Sequence, residues 1–544
     1  MQIINGEDYS KRADRQYVKP SSDILSRGSI FFLEKNGHAV SAATLKTVYI
    51  VAINPNILRD AEAAYSRIDE ILKIDKEAFL MASARKDDPY EVITKLEDSD
   101  LADKIKGLGV PGLSVYKENV RFYPGGKLAA QILGIVARSK DEGDHYAGRY
   151  GLEKYYEDML ARNNESLRVN FFAEMFSNVK KTVVAGDKSA SSGDIVLSIE
   201  PNVELYLDKE LNALKDKWDP DSLGGIVIEP KTGRIVAATF LPDFDPNDFG
   251  KEKDISVFSN PMVENVFEFG SIIKPLTISA GIDAGVIKPE TKYDDKGFVT
   301  LNGKKIENHD HKAMGRIDMQ AVLDNSLNTG AVFVMQKLGR DKFRTYMESF
   351  GLGKKTGIDL PNETSGLTAN LKSKYEIDYA TSAFGQGIAL TPVGAVRALS
   401  SLANGGVMVK PRIVDKIDSG LGAPKIFETV LQGRVLKEKT AREITGMLVH
   451  AFDKGLLGGV YKIKQYSIAA KTGTAQISDS SGKYGDKDLH SFFGYFPAYN
   501  PRFLVLLYMV DPKNGARFAS DTLPIPFVNI TKFLLNYYEV PPDR

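Results

Sequence analysis

The sequence predicts an α+β protein whose C-terminal part has one sheet closed by its own two ends. Three observations carry this. Gly224–Glu229 and Arg234–Thr239 are apolar runs separated by Pro230–Gly233, the pattern of strand, turn and strand. Tyr466–Ala470, His490–Phe496 and Phe503–Val510 are three further strand-like runs near the other end. Helical signals fill the interval between the two groups.

Taken in order, the N-terminal part is mixed. Lys46–Asn54 is β-branched and aromatic and predicts a strand. Asn56–Leu72 predicts an amphipathic helix, because Ile57, Ala61, Ala64, Ile68, Ile71 and Leu72 recur near period 3.6. Leu167–Phe172 and Lys181–Val184 read as extended. Ala185–Asp194 (AGDKSASSGD) is small, polar and rich in Gly and Ser, so it marks a boundary. It divides the chain into two expected units, residues 1–193 and 194–544.

The second unit is more regular. Ile272–Ile287 and Met319–Leu338 predict helices. Thr391 followed by Pro392 has the form of an N-cap with proline at the first helical position, and Asn404-Gly405-Gly406 closes that helix.

Composition excludes several classes. The 71 basic and 71 acidic side chains give no net charge, which argues against a duplex nucleic-acid binder. Zero cysteine removes disulfides, thiolate nucleophiles and Cys-ligated metals. The longest purely apolar run, Phe503–Val510, has strand length and falls short of the ~20 residues of a membrane helix. Residues 1–25 hold no apolar block and so no signal peptide. No phosphate-binding Gly-x-x-x-x-Gly-Lys-Ser/Thr loop and no Gly-x-Ser-x-Gly elbow is present. No cofactor is expected.

The chemistry gathers in three short motifs. Ser271-Ile-Ile-Lys274 follows Gly270 and opens an apolar helical stretch. Positions i and i+3 share a helix face, so Lys274 is expected within reach of the Ser271 hydroxyl. A helix N-terminus favours an oxyanion, and an amine serves as base only if burial or a neighbouring cation lowers its pKa. Ser-x-x-Lys also occurs at Ser83, Ser114, Ser177 and Ser480, where no such context exists. Ser326-Leu327-Asn328 is the only Ser-x-Asn in the chain. Its hydroxyl could relay a proton and its amide could hold a substrate carbonyl; a polar helix end is the plain alternative. Lys-Thr-Gly occurs three times. Lys231–Gly233 reads as a hairpin turn and Lys355–Gly357 as a loop. Lys471–Gly473 alone extends an apolar strand and runs on into Thr474. Such a strand could pair with an extended peptide, with Gly473 leaving room for close approach of that substrate, Lys471 adding a second cation, and Thr472 and Thr474 offering hydroxyls. His309-Asp310-His311 could place two imidazoles on one side of a strand, but no third ligand stands nearby, and a solvated loop is the expected reading. No metal site is expected.

Ser-x-x-Lys with a Ser-x-Asn-type motif and Lys-Thr-Gly is the known signature of penicillin-binding proteins and class A β-lactamases. The sequence resembles the class B penicillin-binding proteins, monofunctional peptidoglycan D,D-transpeptidases, over nearly its whole length. Gly224–Phe249, Gly351–Pro361, Phe384-Gly385-Gln386-Gly387 and Thr391-Pro392 carry the resemblance in the second unit, and Arg27-Gly28-Ser29-Ile30, Tyr123-Pro124-Gly125 and Gly151-Leu152-Glu153 in the first. The resemblance implies a dimerisation-type pedestal followed by a transpeptidase domain, an antiparallel sheet flanked by helices with a helical subdomain. It implies that Ser271 is acylated by a stem peptide, with Lys274 as base, Ser326 and Lys471 as proton relays, Asn328 on the substrate amide, and Thr472, Gly473 and Thr474 on the substrate strand. The backbone N–H groups of Ser271 and Thr474 would form the oxyanion hole. β-Lactams would acylate Ser271 instead.

Three departures stand out. The family usually has Pro where Phe269 stands and often Thr where Ile272 stands, positions expected at the rim and back of the site. In the family a single membrane helix precedes the pedestal, and Met1–Tyr9 looks like the segment just after it. An anchor absent from this chain is therefore expected, with the catalytic unit on the periplasmic or cell-wall side. Expected partners are stem peptides, β-lactams, a membrane glycan polymerase and division or elongation proteins. A D,D-carboxypeptidase or β-lactamase on the same fold, or a β-lactam-binding sensor or scaffold without turnover, are the rival readings.

Overall fold

The computed structural model of the chain describes residues 26–139, 145–161, 193–419, 423–478 and 484–544. The extended runs expected at 167–172 and 181–184, nearly all of the 185–194 boundary, the segment 1–9 and the Ser-x-x-Lys at Ser177 and Ser480 lie outside them.

The N-terminal part is built on strands β1 (Ile30–Leu33), β2 (Ala39–Ile53), β3 (Glu91–Leu96) and β4 (Leu113–Phe122). The strand expected at 46–54 lies inside β2, which pairs antiparallel with all three others. The helix expected at 56–72 is shorter, α1 (Ala61–Asp69), because the Asp60 carboxylate accepts the Ala63 N–H and fixes the start there. Ala64 and Ile68 face the core as the periodicity requires, while Ile57 stays exposed.

β1 also pairs in parallel with β5 (Asp194–Leu197), so the sheet continues past residue 193. Below it lies a buried ionic knot. Arg27 Nε and Arg121 Nε donate to the two oxygens of Glu153 at 2.5 and 2.6 Å, and all three side chains are buried. Removing one partner of such a group leaves an unpaired buried charge, at a cost of about 3–5 kcal/mol.

The C-terminal part centres on a five-stranded antiparallel sheet. In spatial order its strands are Ala469–Ser478, Tyr484–Phe496, Phe503–Val510, β6 (Ser222–Ile228) and β7 (Ile235–Leu241), the first three being β8, β9 and β10. The two ends of the domain thus meet in the β10–β6 pair, as the sequence predicts. Phe503–Val510 is apolar throughout because both faces of β10 are covered. Phe503, Val505, Leu507 and Met509 pack with Leu207 and Leu211 of α2 (Pro201–Trp218) and with Phe527 and Ile530 of the C-terminal helix Pro524–Tyr537. Leu504, Leu506 and Tyr508 face the opposite core with Ile226, Phe240, Phe269 and Leu276.

The intervening helices form the second wall. They include α3 (Lys274–Asp283), α4 (Met319–Asp324), α5 (Asn328–Leu338), α6 (Pro392–Ala403) and α7 (Glu438–His450). Thr391 caps α6 by accepting the Gly394 N–H at 3.1 Å, as expected. The single helix expected over 319–338 is instead two, α4 and α5, broken at Asn325–Leu327, where Ser326 takes φ +55°. Among the described residues no helix is long and apolar enough to cross a membrane.

Candidate active site

The cleft lies between the edge strand β8 and the helical wall. Ser271 stands in a 3-10 turn, Gly270–Ile273, that leads directly into α3. Gly270 takes φ +61°, and its N–H bonds to Gly385 O at 3.2 Å. Gly385 itself takes φ +82°, and a Cβ there would collide with Gly270 O. The Gly385 backbone therefore buttresses the turn that presents Ser271.

Lys274, the first residue of α3, is fully buried. Its Nζ donates to Ser326 O and reaches Ser326 Oγ at 3.3 Å. Among the described residues no hydrogen bond joins Lys274 Nζ to Ser271 Oγ; the amine is held by the Ser326 segment instead. Burial, and then the charge of Lys471, hold Lys274 well below the usual lysine range. That is the condition an amine must meet to take a proton from a serine.

Lys471 approaches Ser326 from the other side. Its Nζ donates to Ser326 Oγ at 2.9 Å and to Thr472 O at 3.0 Å, and burial lowers its pKa to about 8, with Asp324 opposing the shift. One hydroxyl thus bridges two lysines carried by different elements. The break between α4 and α5 makes this possible, because it places Ser326 in a left-handed conformation rare for a non-glycine residue. Asn328 opens α5, and its Nδ2 donates to Glu307 O at 2.8 Å.

β8 continues through the Lys-Thr-Gly motif, so Lys471, Thr472, Gly473 and Thr474 are strand residues. It begins at Ala469, later than the expected 466. Ser467 is instead tied to the C-terminal tail, its N–H donating to Asp543 Oδ1 at 2.7 Å. As the edge of the sheet, β8 leaves its outer backbone groups free of strand partners. Thr472 and Thr474 are partly exposed, and Thr474 Oγ1 accepts the Ala519 N–H at 3.0 Å.

Gly473 has a packing role that the sequence did not signal. A Cβ there would lie 2.5 Å from Phe269 O and 3.1 Å from Ile272 N, and would collide with Ser491 Oγ. The missing side chain lets β8 touch the Ser271 turn itself. Ser491 Oγ completes this contact by donating to Phe269 O at 2.7 Å. Phe269 and Ile272 are both buried, so neither reaches the rim. Phe269 packs edge-on against Tyr508 in the core behind the turn.

The other copies of the motifs lie elsewhere. Lys231–Gly233 forms the β6–β7 turn, with Gly233 at φ +76°. Ser83 ends a helix and bonds to Phe79 O, and Ser114 lies in β4. His309 and Asp310 form an exposed turn and His311 the loop after it, rather than a strand.

Sequence reasoning missed that His309 borders the cleft. Its ring meets Phe518 edge-on at 5.9 Å, next to the Ala519 N–H that binds Thr474. Partial desolvation beside Phe518 lowers its pKa, with Asp310 opposing the shift and the Lys471 charge reinforcing it. Ser491 carried no sequence signal, because its partner Phe269 is over two hundred residues away.

Comparison with known proteins agrees with this geometry. Residues 224–525 match the family described as the penicillin binding protein transpeptidase domain, and residues 26–194 match the penicillin-binding protein dimerisation domain. Stage V sporulation protein D of Bacillus subtilis is 28% identical over 558 residues, covering 100% of this chain and 83% of that protein. The peptidoglycan D,D-transpeptidase FtsI of Escherichia coli is 24% identical, covering 100% of this chain and 89% of that protein. Penicillin binding protein 2X of Streptococcus thermophilus superposes with TM-score 0.74 over 95% of this chain and 81% of its own, at 18% identity, which shows a shared fold. Its transpeptidase match takes in more than half of the sequence and contains the whole Ser271, Ser326 and Lys471 constellation, and so the chain belongs to the penicillin-binding protein transpeptidase family.

Proposed function

We propose that the protein is a serine-type peptidoglycan D,D-transpeptidase with Ser271 as the acylated residue. The observation that carries this reading is the bridge Lys274–Ser326–Lys471 beside a helix-entry serine. Curated relatives that this chain matches end to end are named peptidoglycan D,D-transpeptidases.

In this reading an extended stem peptide adds to the free edge of β8, with its terminal carboxylate on Thr472 and Thr474 and an amide on Asn328. Neutral Lys274 takes the Ser271 proton as Oγ attacks the carbonyl carbon of the penultimate D-alanine. The backbone N–H groups of Ser271 and Thr474 hold the oxyanion, where one donor is worth about 3 kcal/mol. The C–N bond then breaks, and terminal D-alanine leaves with a proton supplied through Ser326 and Lys471. The amine of a second stem peptide attacks the ester, gives up its proton along the same path, and restores Ser271. A β-lactam enters the first step, and its opened ring stays on the serine.

The division at 193/194 into pedestal and transpeptidase domain belongs to this proposal. So do a preceding membrane anchor, an extracytoplasmic catalytic domain, and assembly with a glycan polymerase and division or elongation proteins. The test is a donor peptide ending in D-Ala-D-Ala, supplied with and without a second peptide amine. Release of D-alanine with formation of the cross-linked product supports the transpeptidase. Release by hydrolysis alone, unchanged by the amine, indicates a carboxypeptidase, and no release by a folded protein indicates a scaffold.

A further inference from the structure

Asp324 ends α4, two residues before Ser326. Its carboxylate is mostly buried and firmly held. Gln320 Nε2 donates to Oδ1 at 2.8 Å while bonding Met447 O at 3.0 Å, and His450 Nδ1 lies 3.1 Å from the same carboxylate oxygen. The π-helical turn Ala451–Gly455 closes over it, and a Cβ on Gly455 would lie 3.1 Å from Asp324 Cα. Beneath, a small cavity has Asp324 and Lys471 in its lining, together with Leu323, Phe452, Leu456 and Phe492. A carboxylate held in an apolar enclosure with a buried ammonium is an electrostatic partner even without a direct ion pair. None of the three sequence motifs provides for it.

We infer that Asp324 is a positioning residue that keeps Lys471 in its ammonium form, so that Lys471 remains a donor to Ser326 Oγ during acyl transfer. It touches no reacting atom and acts only through Lys471. The inference rests on the proposed transpeptidase reading for its consequence, but not for its electrostatics. The other charged groups around the pair are accounted for. Lys274 lies across Ser326, and it is the Lys471 charge that acts on it. His309 stands at the cleft mouth. His450 caps the Asp324 carboxylate. On the π-helical turn, Asp453 is paired with Arg544 and Lys462, and Lys454 is exposed.

The sign is fixed. Burial disfavours the Lys471 cation and Asp324 favours it, so neutralising Asp324 makes Lys471 lose its proton at lower pH. The test compares wild type, Asp324→Asn and Asp324→Glu, with Asp324→Ser as a second neutral variant should the first not fold. Lys471 is titrated by NMR of 13Cε-labelled lysine, assigned through Lys471→Arg. The same proteins are assayed for acylation by labelled penicillin across pH. The expected result is a Lys471 midpoint lower by about one pH unit in the neutral variants and unchanged in Asp324→Glu. The alkaline limb of acylation should move with it. An unmoved Lys471 midpoint in a folded neutral variant overturns the inference, whatever the acylation rate. Failure of wild type to acylate at Ser271 overturns the transpeptidase reading instead, and the NMR midpoint still decides the role of Asp324.

Discussion

Lys471 Nζ donates to Ser326 Oγ at 2.9 Å, and through that oxygen the Lys-Thr-Gly strand is joined to the buried amine of Lys274 at 3.3 Å. Each lysine lowers its own pKa by burial, and Lys471 adds its charge to the effect on Lys274. The Ser326 hydroxyl between them is hydrogen-bonded by both lysine Nζ atoms.

Ser326→Ala removes that shared oxygen while keeping the buried volume nearly constant. Acylation of Ser271 by a labelled penicillin should fall about 10²–10⁴-fold, the range for loss of a positioned proton-transfer group. Stability should fall by about 1–3 kcal/mol, because the buried Lys471 loses an acceptor. The acylation rate constant and a melting curve check both parts.

The pH profile follows from the two lysines. Lys274 must be neutral to act as base, and burial with the Lys471 charge shifts it towards that form. Lys471 must be charged to act as donor, and it loses its proton as pH rises through about 8. Acylation should therefore decline above about pH 8, and Lys471→Arg, which stays charged, should flatten that decline even if its maximum is lower. Rate constants from pH 6 to pH 10 measure it.

Lys274→Met should inactivate the enzyme and stabilise the fold. In the unfolded chain Lys274 keeps its proton up to about pH 10.4, whereas burial strips it much earlier in the native state. The unfolded state binds the extra proton between those two values, so the wild type is penalised below the unfolded pKa, and the penalty fades as pH rises towards it. The variant should melt a few degrees higher at pH 7, with the gap narrowing near pH 10. A lower melting temperature at pH 7 would contradict the burial argument.

Gly473→Ala tests the contact between β8 and the nucleophile turn. Its methyl group would lie 2.5 Å from Phe269 O, so either strand or turn must move. A stability loss of about 1–3 kcal/mol, with a matching fall in acylation by small and large β-lactams alike, is expected. Loss confined to peptide substrates would favour the original expectation that Gly473 makes room for substrate.

Much of this was legible in sequence because it is local. The β6–β7 hairpin, the Thr391 cap and the fully apolar β10 depend on residues within a few positions of one another. Ser271, Ser326 and Lys471 could be named because their chemistry is carried by residue type. What escaped depends on distant partners. The apolar period runs unbroken across 319–338, and the chain breaks at Ser326, where Lys274 and Lys471 converge on it from 52 and 145 residues away. Gly473 is required by Phe269 and Ser491, and Asp324 is set by His450, none of which is near in sequence.

The most direct test of the account is to incubate the protein with penicillin, digest it and locate the adduct by mass spectrometry. The account predicts one penicilloyl group on Ser271, persisting through the digest and absent from Ser271→Ala. An adduct on another residue, or equal labelling of Ser271→Ala, would contradict it.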